Sequence, residues 1–166
     1  LSLLFSQFLP EETFLSKPLA LLLLALHLSG LIYCAVVWLQ ATQQQTGRRI
    51  FLSKDQRLSS PYIIYTMLIS NFIGICFART LHYQFYVWYF HALPFLMWTN
   101  SNTAYPVPVR LAIMAAIEYA FLTFPATPTS SAVLQVAHAA ILLRTSPPPV
   151  LEDHQELDTN ERQKIE

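Results

Sequence analysis

Long apolar stretches broken by short polar ones organise the chain. From Leu19 to Leu39 only His27, Ser29 and Gly30 interrupt apolar side chains. As a helix this run reaches about 31 Å at 1.5 Å per residue, enough to cross a bilayer's hydrocarbon core. Lys17 and Pro18 mark its start, with proline where a first helical turn tolerates it, and its end dissolves into the polar run Gln40 to Arg49. The pattern predicts further spans over about 61–78, 81–98, 107–124 and, more briefly, 130–143. Only Ala78, Arg79 and Thr80 separate the second span from the third, so a tight turn or a bent continuous helix is expected there. Pro125 and Pro128 divide the last two spans, as residues that stop helices do. From Pro147-Pro148-Pro149 onward the chain turns polar and poor in aromatics. This predicts a disordered tail over 147–166 behind a membrane domain over 1–146.

Charge sharpens this picture. Of 166 residues 54% are hydrophobic and only 12% charged, against roughly 25% charged in an ordinary soluble domain. Between Leu58 and Leu151 only Arg79, Arg110, Glu118 and Arg144 are charged. Outer helix faces therefore lack the polar cover that water requires, and the expected class is an all-α polytopic membrane protein. Ten basic residues balance ten acidic ones, which leaves no basic field for nucleic acid.

Orientation follows from the basic residues. Arg48, Arg49, Lys54 and Arg57 place the loop after the first span in the cytosol. Five crossings then put Leu1 to Lys17, the Arg79 turn and the Pro125 to Thr129 loop on the far side. The Asn100 to Pro108 loop and the tail fall in the cytosol, with Arg110 and Arg144 at cytosolic ends. Arg79 and Lys17 disobey the rule, and Arg79, at a span end, is thereby a candidate site residue.

The segment from Arg79 to His91 holds the densest candidate chemistry. At helical spacing His82, Tyr86 and Tyr89 share one face, and Gln84, Trp88 and His91 a neighbouring one. Arg79 and His82 suit a lipid-linked phosphate through charge-assisted hydrogen bonds, and the rings suit a sugar or a polyprenyl chain. An interfacial aromatic belt with a snorkelling arginine explains the same residues without a ligand. Glu118, deep in the fourth span, reads equally as a functional carboxylate or as a hydrogen-bonded packing residue. His27 and His138 read as packing histidines. Glu11 and Glu12 read as a solvated or helix-capping pair. Cys34 and Cys76 lie in apolar runs and suggest neither a disulfide framework nor a zinc site.

Phosphate-loop, dinucleotide, HExxH and GxSxG patterns are missing from the sequence, and three glycines are too few for a phosphate-cradling loop. Leu1 is not followed by a charged region and a small-residue cleavage site, so no ordinary signal peptide is read. A chain opening inside an apolar stretch reads as the C-terminal part of something longer. Arg162 and Lys164 weakly match a dibasic retrieval signal of the endoplasmic reticulum.

The string Ser70-Asn-Phe-Ile-Gly-Ile-Cys-Phe-Ala-Arg79-Thr-Leu-His82-Tyr83-Gln84-Phe-Tyr86-Val-Trp88-Tyr89-Phe-His91-Ala-Leu-Pro-Phe-Leu-Met-Trp98 resembles the dolichyl-phosphate-mannose-dependent alpha-1,3-mannosyltransferases of N-glycan assembly. Phe8-Leu-Pro-Glu-Glu-Thr-Phe-Leu-Ser-Lys17-Pro, Ile117-Glu118-Tyr and Phe124-Pro-Ala-Thr-Pro-Thr-Ser-Ser131 resemble them too, so the likeness runs from about Phe8 to Leu143. Leu1 to Gln7 do not match what the resemblance leads one to expect upstream. The resemblance implies the C-terminal part of a glycosyltransferase-C-type transmembrane bundle, multi-pass in the endoplasmic reticulum membrane. The activity implied is mannose transfer from dolichyl phosphate mannose to the dolichyl-pyrophosphate-linked pentamannosyl oligosaccharide, on the lumenal side. Inversion at the anomeric carbon needs one displacement and a general base. Such a base is expected in an upstream lumenal loop outside this chain, so the chain alone is expected to be inactive. Arg79, His82, Tyr83, Gln84, Tyr86, Trp88, Tyr89 and His91 become the expected donor site, without metal or cofactor. The alternative is a non-catalytic polytopic or lipid-binding membrane protein that keeps the aromatic site.

Overall fold

The computed structural model describes residues 10–46, 58–99 and 105–150. The basic loop from Arg48 to Arg57, residues 1–9, and the tail from Leu151 with Arg162 and Lys164 lie outside the described residues. Among the described residues the fold is helical without a β-sheet. A short α1 (Glu11–Phe14) precedes the long α2 (Lys17–Thr46) and then α3 (Ser60–Cys76). A 3-10 turn (Tyr83–Phe85) leads into α4 (Tyr86–Tyr89) and α5 (Ala92–Trp98), and α6 (Val107–Leu122) and α7 (Pro128–Arg144) complete the bundle.

Local chemistry accounts for most helix boundaries. The Ser59 hydroxyl caps α3 by accepting from the Tyr62 amide at 3.3 Å, with Pro61 in the first turn. Thr127 and Ser130 form a reciprocal capping box at the start of α7: Thr127 Oγ1 accepts from the Ser130 amide at 3.1 Å and Ser130 Oγ from the Thr127 amide at 3.0 Å. Helix α2 runs on to Thr46 rather than ending near Leu39, because glutamine and alanine in the polar run are good helix formers.

The expected span over 81–98 is not one helix. His82 is extended, Tyr83–Phe85 form a 3-10 turn, α4 stops at Tyr89, and α5 begins at Ala92. Pro94 supplies the reason: it lacks the N–H that would bond the Phe90 carbonyl, and its ring crowds that carbonyl. Placed in the first turn of α5, the same proline is tolerated. Pro147 to Val150, expected at the start of the tail, pack back on the bundle. Ser59 donates its amide to the Val150 carbonyl at 2.8 Å and its hydroxyl to the Pro149 carbonyl at 2.5 Å, and Val150 is buried.

The core forms where α3, α4, α5, α6 and α7 meet, around Phe72, Tyr89, Leu93, Ile117, Leu134 and His138. Helices α6 and α7, joined by a short connection, make the most extensive pair. A groove of about 540 Å³ runs along them, lined by Pro108, Ala112, Ala116, Ala132, Val136 and Ala140 among others. By contrast α2 is attached mainly along one line on α3. A Cβ on Gly30 would stand 3.2 Å from Ile73 Cγ2, and one on Gly74 would stand 3.6 Å from the His27 ring. The lack of a side chain at Gly30 lets α2 and α3 approach closely, whereas a Cβ at Gly74 would make only ordinary contact.

Much of the apolar surface of α2 is nonetheless uncovered: Leu21, Leu22, Leu24, Ile32 and Tyr33 all face outward, while Leu23 is buried. Its Lys17–Gln40 part is the one helix among the described residues long and apolar enough to cross a membrane, and Ser60–Cys76 is a shorter apolar helix.

The bundle has two rims. One holds the start of α3 tied to Val150, the end of α5 tied to Thr145 through its hydroxyl and the Leu96 carbonyl (3.3 Å), and Arg144 over the Tyr105 ring. The other holds Phe14, Arg79, the 3-10 turn and the Leu122 to Thr127 connection.

Candidate functional site

The segment Arg79 to His91 lies at the second rim and is held there from three sides. The Arg79 guanidinium sits over the Phe14 ring, 5.6 Å from its centroid, so α1 packs against the turn that follows α3. On α3, Asn71 Nδ2 donates to the Trp88 carbonyl at 3.2 Å. At the end of α6, the Thr123 carbonyl accepts from the Tyr83 hydroxyl at 3.0 Å while the Tyr83 ring lies against Phe124. The same helix presents Glu118, whose carboxylate accepts from the Tyr86 hydroxyl.

These anchors sort the sequence-predicted residues into three groups. Tyr89 is fully buried and meets His138 Nε2 at 3.0 Å, with Phe72 and Phe121 packed around it. Its place is therefore in the core, beneath the site. Tyr83 and Tyr86 bridge to α6 through their hydroxyls. The remaining five are turned outward or half-exposed: Arg79, His82, Gln84, Trp88 and His91. The expected helical faces do not hold, because His82 precedes the helix and Tyr89 turns inward while Tyr86 turns across to Glu118. His82 instead stacks on Phe85 (6.1 Å, 23°), whose ring meets Trp88 edge-on (4.6 Å, 83°).

Chemically the rim presents the Arg79 guanidinium, the exposed imidazoles of His82 and His91, an aromatic row and a carboxylate held by a phenol. A guanidinium and an imidazole suit a phosphate, and rings with a carboxylate suit a hydroxylated sugar. Among the described residues no three histidine, cysteine, aspartate or glutamate side chains gather to hold a metal ion. Cys34 and Cys76 are free thiols, half-buried and buried respectively. His138 takes the packing role its apolar surroundings suggest, and His27 packs over Gly74. The α6–α7 groove is almost wholly apolar and offers no reactive group.

Sequence reasoning did not place Phe14, Asn71 or Thr123 at this site and left Glu118 open. Asn71 had a signal, as an amide in an apolar helix eight residues before Arg79; the Phe14 contact and the Thr123 carbonyl had none, because both depend on packing between distant segments.

Comparison with known proteins gives concordant matches. The model of the family described as ALG3 protein matches residues 5–131. A mouse protein named Dol-P-Man:Man(5)GlcNAc(2)-PP-Dol alpha-1,3-mannosyltransferase is 43% identical over 148 residues, covering 83% of this chain and 33% of its own length. An Arabidopsis thaliana protein of the same name is 37% identical over 153 residues, covering 82% of this chain and 34% of its own length. A Dictyostelium discoideum protein, named as a probable enzyme of that kind, is 39% identical over 142 residues, covering 83% and 31%. The chain spans about a third of the length of these relatives. No solved structure matches it.

Proposed function

The chain belongs to the ALG3 protein family, and from that premise we propose that it is the C-terminal membrane portion of an alpha-1,3-mannosyltransferase. The whole enzyme moves mannose from dolichyl phosphate mannose to the dolichyl-pyrophosphate-linked pentamannosyl oligosaccharide. It works on the lumenal side of the endoplasmic reticulum membrane, as a multi-pass protein. These substrates are the ones that the relatives' names give.

In this reading α2, α3, the 81–98 segment, α6 and α7 each cross the bilayer. The uncovered apolar surface of α2 supports it. So does the separation of the rims, which leaves Arg110 and Arg144 at one end and Arg79 with His82 at the other. The chain's own contribution is to hold the donor. As the acceptor hydroxyl bonds to the anomeric carbon, the bond from that carbon to the phosphate oxygen breaks and negative charge grows on dolichyl phosphate. Arg79 and His82 neutralise that charge more strongly in the transition state than in the bound donor, and this difference accelerates transfer. The base that takes the acceptor proton belongs to the rest of the enzyme.

One observation carries the assignment: the family's aromatic string folds so that its only arginine is braced on Phe14 at the rim away from Arg110 and Arg144. The test is Arg79→Ala in the full-length protein, with mannose transfer measured in microsomes. Loss of transfer by roughly 10²-fold, the size expected for removing one preorganised electrostatic contact, with membrane insertion retained, supports the role. Transfer at the wild-type rate overturns it.

A further inference from the structure

Glu118 reaches the rim from a different element than the rest of the site. From Val107 to Leu122, α6 carries only two charged side chains, Arg110 near its start and Glu118 one turn from its end. Arg110 is buried, donates Nε to the Tyr105 carbonyl at 2.8 Å and lies over the Trp98 ring. Glu118 instead lies on an exposed face, where it accepts from the Tyr86 hydroxyl. That phenol is rigidly placed: its ring stacks on Phe121 (4.6 Å, 27°) and meets Tyr89 edge-on (6.0 Å, 83°). A carboxylate has two oxygens with about four acceptor positions. Tyr86 fills one on Oε2 and orients the group, which leaves acceptor capacity on an exposed carboxylate, and the Tyr86 ring also lies against the exposed Phe90 ring.

We infer that Glu118, oriented by Tyr86, accepts hydrogen bonds from the hydroxyl groups of a hexose on a lipid-linked sugar, which makes it a sugar-recognition residue separate from the phosphate-binding Arg79 and His82. The inference rests on the transferase reading and assigns the sugar part of that site. A hexose offers vicinal O–H donors that a carboxylate accepts in pairs, and ring faces that cover its C–H surface. An isoprenoid chain offers neither, and a phosphate is repelled by the same carboxylate. The shared chemistry fits two sources, the mannose of the donor and the mannosyl residues of the acceptor.

The test uses the full-length enzyme and its Glu118→Gln and Tyr86→Phe variants. Steady-state KM is measured for dolichyl phosphate mannose and for the lipid-linked oligosaccharide, alongside direct binding of both and of sugar-free dolichyl phosphate. Glu118→Gln keeps the shape and removes the charge, so KM and dissociation constant for one sugar ligand should rise about tenfold, the range of a charge-assisted hydrogen bond. Binding of dolichyl phosphate should stay within about twofold. Tyr86→Phe should raise the same KM by a smaller factor, as expected of a positioning residue. A donor effect assigns the donor mannose, and an acceptor effect assigns the acceptor glycan. Equal weakening of dolichyl phosphate and the sugar ligands, or no change in any of them, overturns the inference. The first pattern would mean that Glu118 only pairs with a basic group of the enzyme or supports the fold. A wild-type enzyme that binds the sugar lipids through Glu118 but transfers nothing overturns the transferase reading alone.

Discussion

The Tyr89 hydroxyl lies 3.0 Å from His138 Nε2 at the centre of the bundle, and both side chains are sealed from the surface. His138 Nδ1 has no hydrogen-bond partner, so the Tyr89 contact is what compensates the burial of this ring. Tyr89→Phe removes that contact without changing the shape of the ring. The expected cost is about 1 to 3 kcal/mol, the range for an abandoned buried polar group. His138→Leu should cost a similar amount by stranding the phenol. The double variant removes both polar groups and should be more stable than the sum of the two losses, by about 1 kcal/mol. Thermal unfolding of the detergent-purified full-length protein checks this, and strictly additive losses would show that the pair is not coupled.

The two close-packing glycines should respond differently to alanine. At Gly74 a Cβ meets the His27 ring at 3.6 Å, ordinary contact distance. Gly74→Ala should then be neutral or stabilising by up to about 1 kcal/mol, through helix propensity. At Gly30 the Cβ falls 3.2 Å from Ile73 Cγ2, so part of that gain is lost in moving Ile73 or in separating α2 from α3. Melting temperatures of the two variants, compared in the same detergent, should rank Gly74→Ala above Gly30→Ala.

Thr127 anchors the start of α7 through its reciprocal bonds with Ser130. Thr127→Ala should lower stability by about 1 kcal/mol. Thr127→Ser, which keeps the hydroxyl, should recover most of it. Hydrogen exchange at the first-turn amides of α7 offers a local readout, and unchanged protection in the alanine variant would exclude the capping role.

The helical class and the placement of α3, α6 and α7 were legible in the sequence because prolines and apolar runs act locally. Pro61, Pro108 and Pro128 each fall in a first turn, where the apolar stretch begins. The 81–98 segment misled for the same local reason. Its apolar length predicts one span, yet the missing N–H of a single residue, Pro94, divides it. The shared faces failed upstream of that division, where His82 is extended and Tyr83–Phe85 form a 3-10 turn, since a 3.6-residue period relates side chains only along an α-helix. Arg79 stood out as a candidate through its charge in an unexpected place. The link from Tyr86 to Glu118 spans 32 residues and that from Tyr89 to His138 spans 49, and nothing in local pattern encodes such distances.

The opposed rims make a topological prediction. Ser59 and Val150 meet at one rim, so the start of α3 and the end of α7 lie on the same side. Tyr83 meets Thr123 at the other, which puts the end of α6 with the turn after α3. A bilayer across the bundle must then separate Val107, at the start of α6, from Thr129, at the start of α7. Both are exposed. With the basic Arg48 to Arg57 loop in the cytosol, Val107→Cys should react with an impermeant maleimide added to intact microsomes. Thr129→Cys should react only after the vesicles are opened. The measurement belongs in the full-length protein with Cys34, Cys76 and other reactive thiols removed. Labelling of both positions from the same side would show that α6 does not cross, and with it the five-span reading and the lumenal placement of Arg79 would fall.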